Sequence, residues 1–186
     1  MTGTRFGARY GPGVRHLVAR FFRSLRSDGP SAADDAWAET MLTARERPLF
    51  TEMSAADRRH AIDGARAVEH SVPEPFRRDA VEAALVHDVG KRHARLGVIG
   101  RSFATVVGWC VRSEPRRFAL AERRGLAGRV GKYLRHDVVG AAEVAAVGGS
   151  PLAIAWTADH HRTVDFAALP APGEVVTALD AADHDF

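Results

Sequence analysis

The 186 residues, 46% of them hydrophobic, suffice for one domain with a substantial core. The apolar runs fall well short of the ~20 residues that a membrane-spanning helix needs, and Cys110, the only cysteine, excludes an internal disulfide and suits a reducing cytoplasm. The net charge of +3 is uneven, with +5 on residues 1–30 and −2 on the rest; because 24 of the 26 basic residues are arginine, the basic excess is weak ground for nucleic-acid binding.

Residues 1–12, rich in Gly and Arg, read as an arm. The segment "VRHLVARFFRSLR" (14–26) then places Val14, Leu17, Val18, Phe21, Phe22 and Leu25 on one helical stripe, with arginines opposite. That pattern predicts a helix packed on the domain; the alternative is an interfacial helix on a membrane surface or partner. Residues 1–30 lack the uninterrupted apolar core and small-residue cleavage site of a secretory signal.

Ser31 is an N-cap candidate before Asp34, and Ser54 with Asp57 repeats the pattern, opening a helix through about Glu69. Pro73 and Pro75 break it. Residues 76–88 read as helix, with Val81, Ala84, Leu85 and His87 or Asp88 near one side and Gly90 as the stop. A further apolar segment spans about 98–112, where Cys110 reads as a small buried hydrophobe. Residues 112–135 carry a net +6, either a solvated surface or a cationic rim that draws anions.

A helical stretch starting at His136 follows, and Ser150-Pro151 forms an N-cap and first turn for "LAIAWTADHH". Pro170, Pro172 and Gly173 mark a loop over 165–173, and "EVVTALDAADHDF" closes the chain as a helix. No period-2 strand and no internal repeat is present. The expected fold is all-α, with a basic N-terminal arm and amphipathic helix over 1–30 and one helical domain of seven or more helices over 31–186.

Five of the nine histidines, His60, His87, His136, His160 and His161, fall at the ends or exposed turns of predicted helices. Imidazoles and carboxylates from separate helices can meet on a divalent metal only if the fold gathers them. His60 followed by "AIDGARAVE", then "AALVHDVGK", "YLRHDVVGAAEV", "WTADHH" and "VVTALDAAD" succeed one another along the chain. In this order they resemble the HD-domain metal-dependent phosphohydrolase superfamily over about residues 54–185.

The resemblance implies an HD-type helical bundle and one or two divalent metals drawn from Fe, Mn, Co, Ni, Zn or Mg. It assigns His60, His87, Asp88 and Asp183 to a first metal, with Asp180, one turn earlier, as the alternative final ligand. His70 is the weaker first histidine because it sits beside Pro73. For a second metal, Asp88 would bridge, with His136, His160 and His161 as the remaining candidates. Asp88 would orient the attacking water, Lys91 would bind phosphate, and Arg135 is a further substrate-binding candidate.

Three departures stand out: no Gly-Tyr-Pro follows His160-His161, Arg162 stands where many two-metal relatives have an acidic residue, and Ala56 occupies the position one turn before His60. They point away from a cyclic-di-GMP enzyme and leave the second metal open. The expected activity is hydrolysis of a phosphomonoester or phosphodiester, with a small phosphorylated substrate such as a nucleotide; nucleic acid is the weaker partner. The alternative is a non-catalytic HD module that binds metal or nucleotide and regulates a partner.

Overall fold

The computed structural model describes residues 29–161 and 168–185. The arm at 1–12, the helix expected at 14–26, Arg162 and the first part of the 165–173 loop lie outside them. Among the described residues the chain forms ten α-helices, one 3₁₀ helix and no strand, so the all-α expectation holds. None of these helices is long and apolar enough to cross a membrane.

The helix starts follow local chemistry. Helix α1 (Ala32–Met41) opens on a full capping box: the Ser31 hydroxyl accepts from the Asp34 amide at 3.1 Å, and the Asp34 carboxylate accepts from the Ser31 amide at 3.2 Å. Helix α2 (Arg47–Thr51) is a single short turn with Pro48 near its start. Helix α3 (Ala55–Ser71) starts where Ser54 accepts from the Asp57 amide at 3.2 Å, and stops before Pro73. Helix α4 (Arg77–Val86) is followed by the 3₁₀ helix Val89–His93. Helices α5 (Val98–Cys110), α6 (Glu114–Ala121) and α7 (Gly125–Tyr133) come next. Helix α8 (His136–Val147) ends on left-handed Gly148 at φ 87°. Helix α9 (Pro151–Asp159) is capped by Ser150, and α10 (Gly173–Asp185) closes the described chain.

Two apolar clusters organise these helices. The larger joins α1, α3, α4, α9 and α10 through small side chains such as Ala61, Ala65, Ala80, Ala84, Ala153 and Ala182, around Leu85, Trp156 and Leu179. Small residues on facing helices let backbones approach closely, bringing α3, α9 and α10 against α4. The smaller cluster, Ala94, Leu96, Ala104 and Val130, lies under α5 and α7. The 3₁₀ helix occupies the seam, in contact with both α7 and α8.

Gly90 is not the helix stop that the sequence suggests. Helix α4 already ends at Val86, and Gly90 lies buried inside the 3₁₀ helix. Its role is steric: a Cβ there would fall 2.0 Å from the carbonyl oxygen of His136, far inside contact distance. Gly140 faces it, and a Cβ at Gly140 would meet the Gly90 nitrogen at 3.1 Å. Two backbones thus touch where α8 begins. Cys110 also departs from expectation: it is exposed, because α5 turns Ala104 toward the small cluster and carries Cys110 on its outer side.

Helices α4 and α9 are tied at one end by Glu82, which accepts from the Ser150 amide at 2.8 Å and lies beside Glu46, 1% exposed. Burial first, and the Glu46 contact second, raise Glu82 from an ordinary 4.5 to about 7. Between those values the folded chain binds more protons than the unfolded one, so stability falls as pH rises.

Two outcomes are expected. Gly90→Ala should cost roughly 1–3 kcal/mol as overpacking does, read as a lower thermal midpoint, with Gly140→Ala milder. From about pH 4.5 to 7 the Glu82 contribution to stability should fall, so the wild-type thermal midpoint should decline relative to that of Glu82→Gln across this window.

Candidate metal centre

Three of the candidate histidines sit where helices begin or end, and His60 lies within α3. His87 is the C-cap residue of α4, and its Nδ1–H donates to the Ala84 carbonyl at 2.8 Å. His136 opens α8 and donates from Nδ1 to the Tyr133 carbonyl at 2.6 Å. His160 is the C-cap residue of α9 and donates from Nδ1 to the carbonyls of Trp156 at 3.2 Å and Thr157 at 3.1 Å. A carbonyl can only accept, so in each ring Nδ1 carries the hydrogen, which leaves Nε2 as the ligating nitrogen of the neutral imidazole. The three Nε2 atoms turn inward, to Asp88 and Asp183.

Two groups result. In the first, His60 Nε2 lies 3.1 Å from Asp183 Oδ1, and His87 Nε2 lies 3.4 Å from the same oxygen. In the second, Asp88 Oδ1 lies 3.6 Å from the Nε2 atoms of both His136 and His160, and His161 Nε2 lies 3.1 Å from His136 Nε2. Within each group the potential ligand atoms all lie within 4.8 Å of one another. Asp88 joins the two: its other oxygen, Oδ2, is 3.3 Å from His87 Nε2 and accepts from the Lys91 ammonium.

The polar atoms here are incompletely satisfied. His87 Nε2, His160 Nε2 and Asp88 Oδ1 are buried with no hydrogen-bond partner. Buried donors and acceptors are normally paired, so three orphans in one place call for a ligand. Asp88 and Asp183 are 1% and 7% exposed, and carboxylates this buried need nearby positive charge. Burial would raise Asp88, yet His87 and Lys91 hold it well below the ordinary carboxylate range.

His87 is pushed up to about 10: burial opposes its charging, but Asp88 and then Asp183 outweigh it. Lys91 is likewise raised, burial being overcome by Asp88 with help from Tyr133 and Asp57. His136 goes the other way, to about 3, through burial and the Lys91 charge. The residues fit a divalent ion: imidazole nitrogens and carboxylate oxygens suit first-row transition metals, and a cation would neutralise the two acids. The buried His/Asp group can therefore hold a metal.

The fold brings His60, His87, Asp88, His136, His160, His161 and Asp183 together. Asp180 is not among them; it pairs with His184 at 3.6 Å. His70 donates to the Arg66 carbonyl and His93 contacts Glu143, both away from the cluster. Arg135 contacts Glu114 at 2.6 Å and covers the Phe118 ring at 4.8 Å.

Lys91 lies over Asp88 because a 3₁₀ helix eclipses residues three apart. Sequence reasoning missed one contributor. Asp57, buried beside Ala56, holds the Arg101 guanidinium through both carboxylate oxygens. The available signal was that Arg101 is the single charge in the apolar run 98–111.

No protein-family model, curated protein or solved structure matches the chain.

Adding Mn²⁺ or Zn²⁺ at about 100 times its dissociation constant should stabilise the fold by roughly 2.7 kcal/mol, as ligand linkage requires. Thermal melts read the shift. Asp88→Asn, which keeps the side-chain volume, should abolish it, whereas His70→Gln should leave it intact.

Proposed function

We propose that this chain is a metal-dependent hydrolase of a phosphomonoester or phosphodiester, with a nucleotide or related small phosphate compound as substrate. The observation that carries the reading is the approach of two imidazole Nε2 atoms, those of His136 at the start of α8 and His160 at the end of α9, to one unsatisfied carboxylate oxygen, Asp88 Oδ1. The motif order that resembles the HD-domain superfamily supplies the reaction class. His60, His87, Asp88 and Asp183 would hold one ion, and Asp88 with His136, His160 and His161 would hold a second.

A bound divalent ion would acidify water and neutralise phosphate charge. The chain's own residues do the rest. Asp88, ionised, presents Oδ1 to the site and would orient the attacking water. Lys91 stays charged and is anchored to Asp88, so it offers a fixed cation for charge building on the phosphoryl oxygens. Arg116, Arg123, Arg124 and Arg129 stand exposed on and between α6 and α7 and would steer an anionic substrate. Arg135, already engaged with Glu114, serves this rim rather than the reacting atoms. The lone exposed cysteine suits a reducing compartment such as the cytoplasm.

The test is hydrolysis of a panel of phosphomonoesters, phosphodiesters and nucleotides by metal-loaded protein, with metal content measured alongside. Lys91→Ala should keep its metal and lose about 10²–10³ in kcat, the usual scale for removing a charge-stabilising group. Asp88→Asn should lose both metal and turnover. Metal-loaded wild type that cleaves nothing on the panel would sink the enzyme and leave the non-catalytic metal-binding module.

A further inference from the structure

The arginines around α6 and α7 are not alike. Arg112, Arg117 and Arg129 are engaged by the backbone carbonyls of Trp109, Val111 and Ala94, and Arg135 by Glu114. The Arg116 and Arg123 side chains make no hydrogen bond or ion pair among the described residues. Both line one groove of about 220 Å³ between α6 and α7, whose remaining walls are Ala119, Leu120 and Ala127.

Spacing explains the shared lining. Positions 119, 120 and 123 follow Arg116 by three, four and seven residues, which is one face of a helix. Helix α6 ends at Ala121, but the Arg123 amide donates to the Leu120 carbonyl at 3.1 Å and carries the spiral further. The two arginines therefore stand roughly 10 Å apart along the axis, with apolar side chains between them. Half-buried Leu120 packs down on the small cluster, while Ala119 and Ala127 are exposed.

Backbone contact fixes the groove's shape. A Cβ at Gly128 would fall 1.8 Å from the Arg123 carbonyl oxygen, and one at Gly131 would fall 2.2 Å from the Ala121 amide nitrogen. Helix α7 is thus pressed against the end of α6 with no room to shift. A surface held in shape beforehand loses little freedom on binding.

Size, lining and charge decide between occupants. Small organic ligands need roughly 300 Å³ or more, whereas a cavity of about 150 Å³ holds one aromatic ring. The groove suits a single large apolar side chain. Single-stranded nucleic acid needs aromatic faces for its bases, and Phe118, the aromatic residue of α6, is covered by Arg135. Residues 1–30 of the chain, at net +5, have the wrong sign. On a partner helix, carboxylates seven residues apart also lie roughly 10 Å apart, with an apolar side chain midway on the same face. We propose that the α6–α7 groove docks an acidic amphipathic helix of another protein. Arg116 and Arg123 each take one carboxylate, and the apolar floor takes the side chain between them. Docking there is independent of turnover at the metal centre.

The probe is a fluorescein-labelled, alanine-rich helical peptide with two glutamates seven residues apart and a leucine midway. Titrated with the full-length protein at low salt, its fluorescence anisotropy should saturate at one-to-one stoichiometry. Arg116→Glu/Arg123→Glu should weaken binding about tenfold, and Ala127→Gln, which fills the floor, should weaken it too. Arg78→Glu, an exposed site on α4, should bind as the wild type does. A peptide with lysines in place of the glutamates should prefer the Arg116→Glu/Arg123→Glu protein. Absence of saturable binding by the wild type, or equal affinity in Arg78→Glu and the double variant, would overturn the proposal. Single-stranded DNA that binds more tightly than the peptide, and is lost in the same double variant, would assign the groove to nucleic acid instead.

Discussion

The burial of Asp88 is the constraint from which the surrounding arrangement follows. A carboxylate 1% exposed must be met by positive charge or strong donors, and it cannot be met by water. Each neighbour answers part of that demand. The 3₁₀ turn after α4 lays Lys91 directly over one oxygen. His87, one residue before, approaches the same oxygen, while His136 and His160 approach the other from α8 and α9. The chain alone satisfies the charge by keeping His87 and Lys91 cationic, yet still leaves Asp88 Oδ1 without a hydrogen bond. Polar atoms left in that state are characteristic of a site made for something else to enter.

Rigidity of the imidazoles comes from backbone rather than from other side chains. His87, His136 and His160 each give Nδ1–H to a carbonyl within four residues, at the end of a helix where carbonyls are in surplus. The helix termini thereby fix both tautomer and ring direction with no further partner. Helix ends can only be gathered this closely if the helices themselves approach, and the many buried alanines of α3, α4, α9 and α10 permit it. Gly90 and Gly140 take the same principle to backbone contact, which is what sets Asp88 against the first turn of α8. Site and packing are therefore one problem: enlarging Gly90, two residues from the carboxylate, displaces the histidine across from it.

A second tier surrounds this centre. Helices α5 to α7 pack on their own small cluster and reach the main body through the 3₁₀ helix and the Asp57–Arg101 pair. This layer carries the exposed arginines and the exposed apolar side chains Ile99, Phe103, Val106 and Trp109. The fold places them beside the centre without making them part of it.

The sequence alone determined the helical class, because apolar periodicity, Ser-x-x-Asp caps and proline breaks are local signals whose physics is complete within a few residues. It also singled out the five histidines that converge, since His-Asp and His-His at the ends of apolar helices are awkward unless used. It left Asp180 and Asp183 open, being one helical turn apart; only the packing of α10 on α3 and α4 decided that Asp183 meets His60 and His87 while Asp180 pairs with His184. The purpose of Gly90, the exposure of Cys110 and the hold of Asp57 on Arg101 were likewise decided by tertiary structure. Each depends on which residue, 44 to 46 positions away for Gly90 and Asp57, or which helix face, the fold sets opposite, and no local pattern encodes a neighbour that distant.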